Sequence, residues 1–207
     1  MTTTVNQAPI LAKLLAANAQ WAEDVEDAEP GFFEISSKGQ SPKILWIGCA
    51  DSRVPESVVT GAKPGDIFVH RNVANQVHLN DDNLLAVLQY AVDTVGVEHI
   101  LVVGHTNCGG VNACHAAAST TASSPAPGTP LGRWLEPLTT LARNSSSDDA
   151  NAIVEANVQA QVNNLANTDT MQNVWKKGKD VKVHGWVYQL HSGKLKDLGI
   201  TIGKDGK

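Results

Sequence analysis

A chain of 207 residues with 42% hydrophobic and 18% charged residues suits one soluble globular domain, large enough to bury a full core without disulfides or a structural metal. A net charge of -5 and a pI near 5.7 remove the electrostatic reason to expect nucleic acid or an anionic membrane as partner. No apolar run approaches the roughly 20 residues that span a bilayer, and three cysteines without disulfide-like spacing, behind an N-terminus lacking a basic segment and apolar core, point to the reducing cytoplasm.

Pro9 to about Ala28 is rich in Ala, Leu and charge, with Ile10, Leu14, Ala17 and Trp21 spaced for one face of an amphipathic helix. That face either lies on its own domain or reaches a neighbouring subunit. We set residues 1–34 apart as a helical arm and read 35–207 as an α/β domain, one domain overall. A polar loop, Glu34 to Lys43, leads to the run Ile44-Leu45-Trp46-Ile47-Gly48, a buried strand. Val54 to Val59 starts a helix with Pro55 near its first turn, where a missing N–H costs little. Lys63-Pro64-Gly65-Asp66 is a turn, and Ile67 to Val73 a second strand.

Asp81 or Asp82 caps a helix running through Leu84, Leu88, Ala91 and Val95, which leads into a third strand from His99. The order so far is βαβαβ. Gly109 and Gly110 open the next helix, where glycine lets backbone N–H groups approach a small ligand closely. A phosphate loop is the weaker reading there, because the P-loop lysine and the G-x-G-x-x-G spacing are both absent. Cys114 and His115 are read as structural. Ser119 to Pro130 is a low-complexity surface loop. Helices follow over Leu131 to Arg143, Asp149 to Asn167 and Thr168 to Lys177, then a fourth strand from Val181 to Tyr188 and, past Ser192-Gly193, an edge strand from Leu195 to Ile200. The fold class is therefore α/β: a mostly parallel sheet of four strands plus an edge strand, with helices on both faces.

Two of these strands end in chemistry. Cys49, Asp51 and Arg53 follow the first, and His105 and Cys108 follow the third, at the edge where open parallel sheets carry their sites. Taken singly, Cys49 and Cys108 would be ordinary buried cysteines and His105 a satisfied loop histidine. Together they offer the thiolate and imidazole ligands of tetrahedral zinc, three firm positions leaving one exchangeable. Such a zinc can lower the pKa of bound water far below the ~16 of bulk water. Asp51 then has two possible parts: it occupies the fourth metal position itself, or it pairs with the planar fork of Arg53 and leaves that position open.

These residues resemble the β-class carbonic anhydrases, zinc enzymes that interconvert carbon dioxide and bicarbonate. The resemblance runs from about Gln40 to Gly199 on Cys49-Ala50-Asp51-Ser52-Arg53-Val54-Pro55, Phe68 through Asn75, Gly104 through Gly110 and His184-Gly185-Trp186-Val187-Tyr188. It implies one Zn2+ per chain on Cys49, His105 and Cys108, with Asp51 as a possible fourth ligand, and a catalytic dyad of Asp51 and Arg53 beside zinc-bound hydroxide. It further implies that Gln40, Phe68, Val73 and Gly109 meet the substrate. It also implies a homodimer as minimum unit with sites at its interface, often a homotetramer, and an N-terminal helix packed across the partner. Trp46, Arg71 and Tyr188 match a bicarbonate pocket that regulates some members and favours the state with Asp51 on the metal. Two rivals stand beside this reading: a carbon disulfide or carbonyl sulfide hydrolase on the same scaffold, and a non-catalytic zinc or bicarbonate sensor.

Overall fold

The computed structural model describes residues 9–119 and 126–206, and its chain divides into two compact units, residues 1–40 and 41–207. The N-terminal segment read for targeting signals, and residues 120–125 of the low-complexity loop, lie outside the described residues.

In the first unit, α1 spans Pro9–Ala28. Proline at its first position loses no hydrogen bond, and its Ala- and Leu-rich turns favour helix. Ile10, Leu11, Leu14, Leu15 and Trp21 are all exposed, so most of the apolar stripe is left uncovered by the described residues. Gly31, at φ 85, turns the chain into the short α2, Phe32–Ser36, which takes up the start of the expected polar loop. Trp21 meets Phe33 edge to face at 5.7 Å, the kind of aromatic contact that fixes such a turn.

The second unit is built on a five-stranded sheet in the order β2-β1-β3-β4-β5. Its strands are β1 (Ile44–Cys49), β2 (Ile67–Asn72), β3 (His99–His105), β4 (Lys182–Gln189) and β5 (Lys194–Ile202). The first four are parallel, and β5 returns antiparallel after a turn closed by Gly193 N–H on Gln189 O at 2.8 Å. The chain leaves β1 for β2 on one side and comes back to β3 on the other. At that switch point the connections part, and a crevice opens beyond the carboxyl ends of β1 and β3.

Alternation along the strands makes two apolar faces. Leu45, Ile47, Ile100, Val102 and Val183 belong to the larger cluster, which they share with α5 (Gly109–Ser119), α7 (Glu136–Asn144) and α8 (Ala150–Ala166). Trp46, Leu101, Val103 and Val54 form the other, with Val59 of α3 (Glu56–Thr60) packed against them. Asp81 caps α4 (Asp82–Gln89) by accepting from Asn83 N–H at 3.1 Å.

Beyond Gln89 the expected continuous helix widens into a π turn, Tyr90–Val95, where Ala91 O accepts from both Gly96 and Val97. The helix expected over 131–143 is split into α6 (Pro130–Trp134) and α7, because Pro137 has no N–H to donate and its ring excludes the preceding turn. Asp149 caps α8 and Thr168 caps α9 (Asp169–Lys176).

Glycine lets α8 lie close to the sheet. A Cβ at Gly104 would stand 2.7 Å from Val158 Cγ2 and 3.1 Å from Val154 Cγ1. Gly104→Ala is therefore expected to overpack this seam and cost about 1–3 kcal/mol of stability, read as a lower urea midpoint at unchanged slope; an unchanged midpoint would mean that α8 moves away freely.

Candidate metal centre

Cys49 closes β1 and His105 closes β3, the two strands that flank the switch point. Thr106 and Asn107 then turn the chain, Asn107 in the left-handed region at φ 54, which asparagine tolerates better than most residues. Cys108 follows, immediately before α5. The ligand atoms of Cys49, His105 and Cys108 lie within 4.8 Å of one another, and all three residues are buried.

His105 Nδ1 is 3.0 Å from Thr106 O, so it carries the hydrogen and leaves the lone pair on Nε2. That Nε2 is buried and has no hydrogen-bond partner among the described residues. An unsatisfied acceptor inside the protein is costly, and one that converges on two sulfurs fits a metal ion. Two sulfurs and one nitrogen are a zinc donor set, with one position left for a small ligand.

The sulfurs share their protons unequally. The Cys49 thiol is pulled down, chiefly because Cys108 donates to it, with the Ala74 N–H at 3.4 Å adding to the effect against burial. The same contact, with burial, pushes Cys108 up, while the N–H groups of Val111 and Gly110 in the first turn of α5 oppose that rise. A bound cation would displace the remaining proton.

Beside this cluster Asp51 is held by a two-pronged ion pair. Arg53 Nε reaches Oδ1 at 2.9 Å and Nη2 reaches Oδ2 at 2.7 Å, while the Arg53 backbone N–H also donates to Oδ1 at 2.9 Å. Asp51 Oδ2 lies 3.7 Å from His105 Nε2, so the carboxylate edges the ligand cluster. These hydrogen bonds from Arg53 hold the Asp51 carboxyl well below the usual carboxylate range. Arg71 braces the same segment from β2, donating to Cys49 O at 2.9 Å and to Asp51 O at 2.6 Å, with Glu56 3.8 Å away.

The other expected site residues divide. Val73 is exposed and lines an open cleft of about 540 Å³ with Ala50, Leu131 and Trp134, and its carbonyl accepts from Trp134 Nε1 at 2.9 Å. Gly109 is exposed at the start of α5, with nothing within 4 Å of where a Cβ would stand. Phe68 sits on β2 against Tyr90, paired with Leu45 rather than Cys49, about 13 Å back along the strands. One chain does not bring it to the ligand cluster. Gln40 ends the first unit and is exposed.

Trp46 is fully buried with its indole folded over Gly48, and Nε1 finds no partner among the described residues. Gly48 is the register partner of Arg71, and Tyr188 that of His105. Trp46, Arg71 and Tyr188 thus alternate onto one face of the sheet, opposite to Cys49. Sequence reasoning overlooked the Ala74 N–H and Glu56. The first is a backbone donor with no side-chain signature; the second stood only as an acid in a first helical turn.

A family model described as carbonic anhydrase matches residues 44–195. The chain is 38% identical over 199 residues to a carbonic anhydrase of Emericella nidulans, an alignment covering 92% of this chain and 84% of that one. It is 31% identical to one of Saccharomyces cerevisiae, covering 91% and 88%. Among solved structures, the tetrameric β-carbonic anhydrases of Sordaria macrospora superpose with a TM-score of 0.81 at 36% identity, covering 94% of this chain and 99% of that one. A Coccomyxa β-carbonic anhydrase in complex with acetazolamide superposes at 0.84 with 35% identity, covering 94% and 89%.

Arg53→Gln is expected to let the Asp51 carboxyl rise toward its ordinary value near ~4, followed by carbon-13 NMR titration of that carboxyl. The depressed value in the native chain means that the ion pair contributes stability above the ordinary carboxylate range and loses it only as pH falls below that range. A carboxyl that still titrates far below ~4 in the variant would assign the depression to the backbone N–H of residue 53, which the substitution keeps.

Proposed function

This chain belongs to the β-carbonic anhydrase family, and we propose that it hydrates carbon dioxide reversibly to bicarbonate at one zinc ion held by Cys49, His105 and Cys108. The observation that carries the reading is the buried Cys-His-Cys cluster whose free Nε2 converges on two sulfurs beside a paired Asp51 and Arg53. Zinc bound there would supply Lewis acidity and an acidified water as nucleophile near neutral pH.

The chain's own residues do the rest. Arg53 holds Asp51 by both oxygens, which would leave the carboxylate engaged by the guanidinium and not by a bound metal. The carboxylate stays ionised at working pH, so it acts as a hydrogen-bond acceptor that orients the attacking water and its lone pair toward carbon dioxide. Val73 supplies an apolar wall at the mouth of the cleft, which favours an uncharged gas over bulk water. The N–H of Gly109, at the exposed start of α5, is offered to the anionic product.

Gln40 and Phe68 belong to this scheme through a second copy of the chain, since Phe68 lies too far along β2 to serve the cluster in its own subunit. β2 is an edge strand, open to such pairing, and the uncovered stripe of α1 suits the same homodimer or homotetramer. The Sordaria relatives are described as tetrameric. A site built on two thiolates suits the reducing cytoplasm.

Bicarbonate regulation is a second reading, favoured by the buried indole N–H of Trp46, which lacks a partner next to the Gly48 and Arg71 register pair. Bicarbonate held by Trp46, Arg71 and Tyr188 would draw Arg71 from the carbonyls of Cys49 and Asp51, loosening the segment that carries the dyad. Asp51 is then free to swing to the metal and close the site.

Stopped-flow hydration of carbon dioxide between about pH 6 and 9 is expected to show activity that rises with pH, with one zinc per chain by metal analysis. Chelation should abolish it and zinc restore it. Asp51→Ala should lower kcat/KM by roughly 10²–10⁴-fold while the metal is retained. Full zinc occupancy without hydration would overturn the proposal in favour of a sensor, and faster turnover of carbon disulfide or carbonyl sulfide would favour the other hydrolase. Separately, rising bicarbonate at matched ionic strength is expected to slow the wild type and to slow Trp46→Phe less; equal rate profiles for the two would remove Trp46 from regulation.

A further inference from the structure

Helix α8 buries three amides in an otherwise apolar seam. Asn157 and Gln161 are nearly inaccessible and Asn164 is half-buried, among Ile153, Val154, Val158 and Val162. Polar groups in a core are tolerated only where hydrogen bonds repay their loss of water. All three reach one segment, residues 74–77, and within the helix Gln161 Nε2 donates to Asn157 Oδ1 and Asn164 Nδ2 to Gln161 Oε1. Asn157 Nδ2 donates to Ala74 O at 3.1 Å, and Val77 N–H donates to Gln161 Oε1 at 2.8 Å. Asn164 Nδ2 donates to Val77 O at 3.0 Å. Gln76 Nε2 closes the ladder, donating to Asn157 Oδ1 at 2.8 Å and to Ala74 O at 2.7 Å.

The gripped segment needs such a clamp. Ala74 and Asn75 sit at φ 61 and φ 47, a left-handed conformation that residues with a Cβ adopt at a cost and that persists only where the surroundings impose it. In that conformation the two sides of the Ala74 peptides are used differently. Its carbonyl faces the amide ladder, and its N–H donates to Cys49 Sγ at 3.4 Å. An N–H given to a metal-bound thiolate draws charge from the sulfur and fixes its direction, the way outer hydrogen bonds tune other metal sites.

We propose that the amide ladder of α8 is a positioning device for the metal centre: Asn157 and Gln161 hold Ala74 left-handed so that its N–H is aimed at Cys49. The proposal rests on the reading of Cys49 as a zinc ligand. Neither amide touches the metal or substrate; Asn157 acts on the Ala74 carbonyl and Gln161 on the Val77 N–H that follows it, some 80 residues away in sequence.

Cobalt(II) in place of zinc in the full chain makes this visible, because thiolate-to-cobalt absorption reports the charge on sulfur independently of turnover. Asn157→Leu, which keeps size and removes the hydrogen bonds, is expected to shift that absorption and to weaken metal affinity about 10–100-fold in chelator competition. Val162→Ala, on the same helix and equally buried, is expected to lower the thermal midpoint while leaving absorption and affinity as in the wild type. Should Asn157→Leu not fold, Gln161→Met serves in its place. Wild-type absorption and affinity in a folded ladder variant, or the same shift in Val162→Ala, would overturn the positioning role. A wild-type chain with no thiolate-to-cobalt absorption would instead overturn the Cys49 ligand assignment itself.

Discussion

Two sulfurs and an imidazole nitrogen within 4.8 Å of one another, with no solvent to satisfy them, are an unfavourable grouping in a protein interior. The neighbouring structure is arranged to hold it. Parallel pairing of β1 with β3 places Cys49 and His105 at the switch point, and the left-handed Asn107 starts the approach of Cys108. Thr106 O fixes the imidazole so that its lone pair faces inward, while the first N–H groups of α5 and the N–H of Ala74 supply the sulfurs with donors. Each member of the cluster is thus oriented by a strand end or a hydrogen bond from its neighbours, the kind of outer support that directs metal-binding side chains.

The carboxylate beside the cluster is governed by competition. Asp51 has two oxygens, and Arg53 engages both, one of them 3.7 Å from the histidine nitrogen that would hold the metal. Arg71 grips the carbonyls on either side of Ala50 and so decides where that segment stands. The Asp51–Arg53 pair is more exposed than the sulfurs, so its geometry can change without disturbing the core. That difference in burial separates the enclosed Cys-His-Cys cluster from the more accessible carboxylate–guanidinium pair beside it.

Local chemistry made much of the fold legible. An apolar run of the Ile44 to Ile47 kind can only be a buried strand, and Asp81, Asp149 and Thr168 cap the helices that follow them. Legibility failed where a local rule met a long-range one. The helix from Asp82 widens at Tyr90 into a π turn that periodicity does not signal, and Pro137, visible in the sequence, splits what apolar spacing presents as one helix. Register likewise pairs Phe68 with Leu45, a placement within its own chain that sequence spacing does not state.

What the sequence determined by itself is the chemistry and its approximate address: thiolate, imidazole and carboxylate at the ends of two strands, with an arginine two residues beyond the acid. Residue type and strand-end position are local properties, and local properties are written in the order of the residues. Only the tertiary structure decided that the two strands are neighbours across a switch point, that Trp46, Arg71 and Tyr188 share a face, and that α8 reaches Ala74 with its amides. Those relations join residues up to 142 positions apart through sheet register and backbone hydrogen bonds. Every residue but proline carries the same backbone donor, so a sequence cannot mark which N–H will point at a sulfur.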